Sequence, residues 1–256
     1  MKKIIFLVLL ISLLTFISSS SARWNPYILG GLGGAAFKPT DVPGCVLWLE
    51  SDTGITADHS PPQDGDKVSA WADQSITGTS ATQGTSAYMP LFKTNQKNGY
   101  PSIRFDGSND FLSTGAFTLH TADIYWVIKN IVYSQDHTFC DGLSDTMWVT
   151  QRPLDPYIRQ LGGVYGNYTD IMPAGSWVLL QSKFAAGSSL LRVNGGTAVT
   201  SSLWAVYPDG LIIGSQSGGT WAANIEICGL IAYSAGISDS DRTKVQDYLN
   251  NKYIIY

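Results

Sequence analysis

Aromatic and arginine side chains are concentrated in the stretch from residue 148 to residue 168. Aromatic rings can stack on the apolar C–H faces of sugar rings, and arginine donates paired hydrogen bonds to polar, ring-shaped ligands. This stretch therefore predicts a ligand-binding site, with the candidate residues Trp148, Arg152, Tyr157, Arg159, Tyr165 and Tyr168. A second stretch, with Trp204, Tyr207 and Trp221, has fewer charges and is the competing candidate. For each aromatic residue, partial burial in the core is the alternative interpretation.

The turn Asp106-Gly107-Ser108-Asn109-Asp110 indicates a different chemistry. A calcium ion binds several oxygen atoms supplied by one loop, and Asp106, Asn109 and Asp110 carry such oxygens close together. The same residue types also form structural turns, because their side chains accept hydrogen bonds from the adjacent backbone. The sequence thus predicts either a Ca²⁺ site or a purely structural turn.

Residues suited to acid–base or nucleophilic catalysis are scarce. Glutamate occurs only at Glu50 and Glu226, and histidine only at His59, His120 and His137. No G-x-S-x-G motif surrounds any serine, so a hydrolase with that nucleophile turn is not indicated. We expect the three histidines to lie in loops or on the surface, and we predict no catalytic residue.

Composition restricts the class of protein. The chain has 256 residues, of which 14% are charged, and a formal net charge of −4. Few charges combined with many glycines, tryptophans and tyrosines are typical of β-structure with many turns. No basic run follows Lys2-Lys3, so nucleic acid is not an expected partner.

The N-terminus predicts export. Residues 1–22 combine Lys2-Lys3 with an apolar stretch and small residues before Arg23, which is the pattern of a secretory signal. The apolar stretch is shorter than the roughly 20 residues that cross a bilayer as a helix, and a membrane anchor is the alternative. Residues 23–41 form a Gly-rich leader, and residues 42–256 form one domain. If residues 1–37 are retained, they could pack on other subunits of an assembly.

The three cysteines, Cys45, Cys140 and Cys228, are widely spaced and form no CxxC pair. Neither a zinc site nor a thioredoxin-type motif is therefore indicated. An odd number leaves at least one thiol unpaired within the chain. We expect buried, reduced cysteines, and one disulfide bond is the alternative.

Short apolar or alternating runs separated by turn residues predict an all-β domain of two packed sheets. The predicted strands are 46–50, 68–71, 102–106, 124–133, 138–140, 147–150, 157–160, 177–184, 190–193, 198–201, 211–214 and 225–233. Asn194-Gly195-Gly196 predicts a tight hairpin. Near the C-terminus, Ser238 and Asp241 have the spacing of a capping box, and apolar residues with helical spacing follow, so one short helix should pack on the sandwich. Because strand residues are committed to packing, we expect ligand contacts in loops at one edge.

Several blocks in order resemble the concanavalin A-like lectin/glucanase jelly rolls, and specifically their laminin-G-like (LamG-like) branch. The blocks are VLWLESDTGI (46–55), VSAWADQS (68–75), NGYPSIRFDGSNDFL (98–112), LLRVNGG (190–196), LIIGS (211–215) and GLIAYSAGISDSDRTKVQDYLNNKY (229–253). The resemblance implies a two-sheet antiparallel jelly-roll sandwich with one short C-terminal helix. The glucanases of this superfamily usually carry two glutamates in an E-x-D-x-E or E-x-D-x-x-E strand. Glu50-Ser51-Asp52 begins that pattern, but the second glutamate is missing.

These observations together favour a recognition or adhesion module without catalysis, binding a glycan or cell-surface polysaccharide. Such a module would be secreted or displayed on a virion surface. Two alternatives stay open at this point. The first is a structural subunit of a phage virion or an extracellular filament, and the second is a degenerate glycoside hydrolase.

Overall fold

A computed structural model describes residues 36–132, 137–144, 147–151, 157–204 and 208–256, without the side chains of residues 167–171. Residues 37–256 form one compact unit. The strands are β1 Cys45–Glu50, β2 Ile55–Ala57, β3 Val68–Trp71, β4 Ala81–Thr82, β5 Leu91–Lys97, β6 Tyr100–Asp106, β7 Leu112–Thr114, β8 Asp123–Asn130, β9 His137–Gly142, β10 Trp148–Gln151, β11 Tyr157–Gly162, β12 Val164–Ile171, β13 Trp177–Lys183, β14 Ser189–Val193, β15 Val199–Ser201, β16 Leu211–Ile213 and β17 Asn224–Tyr233. The α-helix is α1, Asp239–Tyr253, and short 3₁₀ turns lie at Pro39–Asp41, Ser86–Tyr88 and Ser217–Gly219. Among these described helices, none has the length and apolar character needed to span a membrane.

The strands form two antiparallel sheets. The first sheet has the order β15-β14-β13-β8-β17-β6-β5, with β1 also paired to β17. The second sheet has the order β12-β11-β10-β9-β16-β7-β4-β3-β2. The predicted all-β class, a two-sheet antiparallel jelly-roll sandwich with one C-terminal helix, is confirmed.

Strand β8 shows how the first sheet becomes buried on both faces. Ile124, Trp126 and Ile128 pack into the core between the sheets. Tyr125 and Val127 point to the opposite face and pack in a second cluster with residues of α1. Side chains alternate between the faces of a strand, so a strand covered on both sides reads as a continuous apolar run. The first sheet therefore has a core face and a helix-covered face.

Helix α1 begins and packs as the sequence predicts. The N-cap Ser238 accepts a hydrogen bond at Oγ from the Asp241 N–H, at 3.1 Å. This bond satisfies one of the backbone donors that a helix start leaves free. Val245, Leu249 and Tyr253 are fully buried against the first sheet.

The hairpin at Asn194 is also confirmed. Asn194 and Gly195 both have positive φ, at 51° and 67°, in the turn between β14 and β15. The Asn194 side-chain oxygen accepts a hydrogen bond from the Leu179 N–H, at 2.9 Å. This contact fixes the turn to the neighbouring strand β13.

All three cysteines are free and buried, as expected. Burial raises the pKa of the Cys45 thiol to about 12, and it also raises the pKa values of the Cys140 and Cys228 thiols. These thiols are protonated at neutral pH, and a protonated thiol is a poor nucleophile and a poor metal ligand.

Two sequence expectations were wrong. His137 was expected in a loop or on the surface, but it opens strand β9 and is fully buried. Five strands were missed: β2, β4, β5, β7 and β12. The first, second and fourth have three residues or fewer, while β5 (LFKTNQK) and β12 (VYGNYTDI) are rich in polar residues. Pairing with a neighbouring strand, rather than the local hydrophobic pattern, determines whether such segments form strands.

Candidate functional site

The outer face of the second sheet carries a row of polar side chains in register. On β10, Thr150 pairs directly with Thr138 of β9 on one side and with Arg159 of β11 on the other. Residues directly opposite each other on neighbouring strands point to the same face. Their neighbours in sequence, among them Val149 and Ile158, point inward to the core. Thr138, Thr150 and Arg159 thus form a hydrogen-bonding surface that faces away from the core.

A second row, two residues further along the strands, adds aromatic rings. Trp148 of β10 pairs with Leu161 of β11, which in turn pairs with Tyr165 of β12. Adjacent strands are about 4.8 Å apart, so Trp148 and Tyr165 stand roughly 10 Å apart on the sheet. This separation leaves room for a flat ring between or against them.

The loop between β16 and β17 closes the other side of these rows. It leaves β16 at Gly214, whose φ is +94°, and a Cβ atom on this residue would lie 2.2 Å from Cδ1 of Phe105, so only glycine fits there. The Ala223 N–H donates to the Gly214 carbonyl at 2.8 Å and draws the two ends of the loop together. The loop thereby brings Gln216 and Trp221 to the two rows on the sheet.

These residues line one pocket of about 190 Å³, bounded by Thr138, Trp148, Thr150, Arg159, Tyr165, Gln216 and Trp221. Tyr165 and Trp221 are 55% and 52% exposed, whereas Thr138 is 1% exposed. The pocket therefore combines accessible aromatic rings with buried hydroxyl groups and one cationic side chain. Such a lining can bind a ring that has both apolar faces and polar substituents.

Buried amides hold the strands beneath the pocket. Gln160 Nε2 donates to Ser182 Oγ of the first sheet at 2.6 Å. Asn130 Nδ2 of the first sheet donates to Gln151 Oε1 at 2.5 Å. Buried hydrogen bonds of this kind are costly to break, because a buried polar group that loses its partner does not regain a hydrogen bond to water. They tie β10 and β11, which carry Thr150 and Arg159, to the opposite sheet.

The structure brings together Trp148, Arg159 and Tyr165, three of the six predicted ligand-binding residues. Tyr157 is 42% exposed at the start of β11 but does not line the pocket. Arg152 and the side chain of Tyr168 lie outside the described residues.

The two aromatic stretches are not separate in the structure, because Trp221 of the second stretch lines the same pocket as Trp148, Arg159 and Tyr165 of the first. Ligand contacts in loops stay a prediction, but Tyr165 itself lies on strand β12, which was missed. Thr138, Thr150 and Gln216 were not anticipated. Their residue types are too common to be informative, and only the register of β9 with β10 and the path of the loop place them at the pocket.

Both glutamates lie away from this pocket and are held by cations. Glu50 accepts a hydrogen bond from the Tyr248 hydroxyl at 2.7 Å and pairs with Lys252 of α1 at 3.0 Å. Glu226 is fully buried on β17, where it pairs with Arg104 and, at 2.8 Å, with Lys129. On β17 it alternates with the core residues around it, so it belongs to the outer face of the first sheet. The whole sandwich therefore separates Glu226 from the pocket.

The turn at Asp106 is built from side-chain-to-backbone hydrogen bonds. Asp106 Oδ1 accepts from the N–H groups of Ser108 and Asn109, at 2.7 and 3.3 Å. Asp110 Oδ2 accepts from the Asp106 N–H at 3.0 Å. Among the described side chains, no group of three or more His, Cys, Asp or Glu is arranged to hold a metal ion. These contacts account for a structural turn, and Ca²⁺ binding by Asp106, Asn109 and Asp110 stays a prediction.

Asp110 gives a test of this turn. Burial, and then the nearby Asp106 charge, raise the pKa of Asp110 to about 7. A carboxyl group with a raised folded-state pKa stabilises the fold below its unfolded pKa, near 4, and loses that contribution as the pH rises through 7. In Asp110→Asn the amide oxygen can still accept the Asp106 N–H, but the side chain no longer titrates. We therefore expect the free energy of unfolding of Asp110→Asn, relative to that of wild type, to be about 2 kcal/mol higher at pH 8 than at pH 4.

Urea denaturation at both pH values, with and without Ca²⁺, measures this difference. An equal pH dependence in wild type and variant would contradict the raised pKa of Asp110. A Ca²⁺-dependent rise in melting temperature that Asp110→Asn abolishes would support the Ca²⁺ site, and its absence would leave the structural turn alone.

No protein-family model matches the sequence, and no curated protein matches it. Solved structures do match the fold. A botulinum neurotoxin serotype D binding domain aligns with a TM-score of 0.54 at 11% identity, over 80% of this chain and 52% of that chain. The serotype D ligand-binding domain in complex with N-acetylneuraminic acid gives 0.52 at 13% identity, over 82% and 52%. Trypanosoma rangeli sialidase in complex with sialic acid gives 0.56 at 13% identity, over 86% and 35%.

This chain therefore spans about half the length of the matched neurotoxin structures and about a third of the sialidase. At these identities the likeness concerns the fold: the molecule is a two-sheet β-sandwich of the kind found in these sugar-binding proteins.

Proposed function

We propose that this chain is a carbohydrate-binding module without catalytic activity, which binds a glycan in the pocket between Tyr165, Trp148 and Trp221. The observation that carries the proposal is the combination of accessible aromatic rings with Thr138, Thr150, Arg159 and Gln216 in one concave site. Aromatic faces suit the C–H faces of a sugar, while hydroxyl, amide and guanidinium groups suit its polar substituents. The sugar complexes of two proteins with a similar fold support this proposal.

The size and charge of the pocket narrow the ligand. Its volume, near 190 Å³, is below the roughly 300–1,000 Å³ of sites for drug-sized molecules, so we propose that one sugar ring enters and the rest of the glycan stays outside. Arg159 contributes a guanidinium group to the pocket lining, and a guanidinium matches a carboxylate in charge and planar geometry. We therefore expect acidic glycans, such as sialylated ones, to bind better than their neutral counterparts.

We further propose that the fold belongs to the concanavalin A-like, LamG-like group and that the protein is exported or displayed on a particle surface. The blocks quoted from the sequence support the first proposal, and the signal-like residues 1–22 support the second. N-terminal sequencing of protein recovered from culture medium tests export directly. A mature chain that starts after residue 22 is the expected result, and retention of the whole chain inside cells would contradict it.

The glycan proposal is tested with the full chain on an array of sialylated and neutral oligosaccharides. We expect concentration-dependent binding to a subset that shares a terminal sugar, with a stronger signal for acidic members. The same preparation should release no sugar from a fluorogenic sialoside. Hydrolysis would support the glycoside-hydrolase class, and a complete absence of binding would favour a structural subunit of a virion or filament.

A further inference from the structure

Trp221 has a backbone conformation that is unusual for a bulky residue. Its φ is +52°, in the left-handed region that L-residues with large side chains rarely adopt. Of the other non-glycine residues described there, Asn95, Asn98 and Asn194 belong to the residue type that tolerates it best. Ile254 directly follows α1, where its N–H bonds to the Asn250 carbonyl and ends the helix. Neither explanation applies to Trp221.

Hydrogen bonds on both sides hold the Trp221 backbone in this conformation. The Thr138 N–H donates to the Trp221 carbonyl at 2.9 Å, and the Gln216 N–H donates to the Thr220 carbonyl at 2.9 Å. Ala222, the next residue, is only 2% exposed and forms a parallel bridge with Thr138. The peptide groups around Trp221 are thus anchored to β9 and to the loop itself. The direction in which the indole leaves the backbone is therefore set by the fold.

Packing inside the protein accounts for only part of the Trp221 surface. The side chain is 52% exposed, so half of its surface contacts no other residue of the chain, and yet it lines the pocket. Glycine would adopt the same backbone conformation without strain. Strained residues that the surrounding structure holds in place are concentrated at ligand sites, where they pre-organise a side chain for binding.

We infer that Trp221 determines the ligand affinity of the pocket, an inference that rests on the proposed glycan-binding function. The left-handed backbone of Trp221 holds the indole in the binding position before the ligand arrives. This arrangement lowers the conformational freedom that a ligand would otherwise have to restrict. It also implies that the free energy of unfolding is lower with tryptophan at position 221 than it would be with glycine there.

Two variants of the full chain, Trp221→Ala and Trp221→Gly, separate affinity from strain. Both remove the indole, so each should weaken binding on the oligosaccharide array by about tenfold or more in apparent Kd. They differ only in the Cβ atom, which is unfavourable at positive φ. Trp221→Gly should therefore melt about 2–4 °C above Trp221→Ala.

Trp204 provides a matched control pair. It is 65% exposed, does not line the pocket, and is not among the described residues with positive φ. At an ordinary φ, alanine is more stabilising than glycine. We expect Trp204→Ala to melt at or above Trp204→Gly, and both to keep the wild-type apparent Kd.

Two results would overturn the inference. If Trp221→Ala melts at or above Trp221→Gly, the backbone strain is absent. If both Trp221 variants keep the wild-type apparent Kd while Tyr165→Ala loses binding, the pocket binds glycan but Trp221 does not determine its affinity. A wild-type chain that binds no oligosaccharide would instead refute the proposed function, and this inference with it.

Discussion

Replacing Tyr165 by alanine is expected to weaken glycan binding by about tenfold or more, close to 1.4 kcal/mol, without unfolding the protein. Tyr165 stands on the edge strand β12 and is 55% exposed, so its ring is available to a ligand and contributes little to the core. Surface substitutions of this kind change stability by about 0.5 kcal/mol or less. Apparent Kd values from the oligosaccharide array, together with melting curves, measure both quantities.

Tyr88 is the matched control for this variant. It is 41% exposed in a 3₁₀ turn, packs against Phe111, and does not line the pocket. Tyr88→Ala should leave the apparent Kd unchanged. Equal losses in both variants would show that binding depends on exposed aromatic rings in general, and an unchanged Kd in Tyr165→Ala would remove β12 from the site.

Replacing Glu226 by glutamine is expected to lower the free energy of unfolding by about 3 kcal/mol. Glu226 is fully buried and is the shared partner of Arg104 and Lys129. The amide keeps the shape of the side chain but leaves two cations without their counter-charge. Removing the buried member of an ion cluster is costly when its partners cannot regain water. Lys129 is only 16% exposed and would lose its counter-charge in a mostly water-free site, whereas Arg104, at 37%, is partly solvated. Urea denaturation of wild type and variant gives the difference.

Asp239 supplies the exposed comparison. Its carboxylate pairs with Arg242 at 3.0 Å, but its side chain is 92% exposed. Asp239→Asn should therefore change stability by less than about 0.5 kcal/mol. Because Glu226 lies on the other sheet from the pocket, Glu226→Gln should also keep wild-type glycan binding. A variant as stable as wild type that loses an activity toward glycans would assign Glu226 a chemical role instead.

The candidate site was partly predictable from the sequence. Trp148, Arg159 and Tyr165 could be selected by residue type, because aromatic rings and arginine side chains suit polar, ring-shaped ligands. Trp221 was also a candidate, in the second aromatic stretch. It lies more than fifty residues further along the chain than Tyr165, and no local sequence pattern places it next to β12. The link is made by the Gly214–Ala223 hydrogen bond and by the contact of Thr138 with the Trp221 carbonyl.

The elements followed a similar division. Helix α1 and the Asn194 hairpin were predicted because their signals are local: a capping serine and residues that tolerate positive φ. Strand β12 was missed because its sequence, VYGNYTDI, has no apolar alternation. Its existence depends on β11, which supplies the hydrogen-bonding partner. Edge strands of this kind form when the neighbouring strand of the sheet supplies backbone hydrogen-bonding partners.

The amino-acid sequence by itself therefore determined the all-β class, the capped C-terminal helix and the Asn194 hairpin, since composition, periodicity and turn chemistry act over a few residues. Only the tertiary structure decided which aromatic residues share a pocket, that Thr138, Thr150 and Arg159 stand in one row, and that Glu226 is enclosed by cations. Those relations depend on strand register and on contacts between distant segments. A shift of one residue would turn each side chain to the opposite face, and no local pattern encodes that choice.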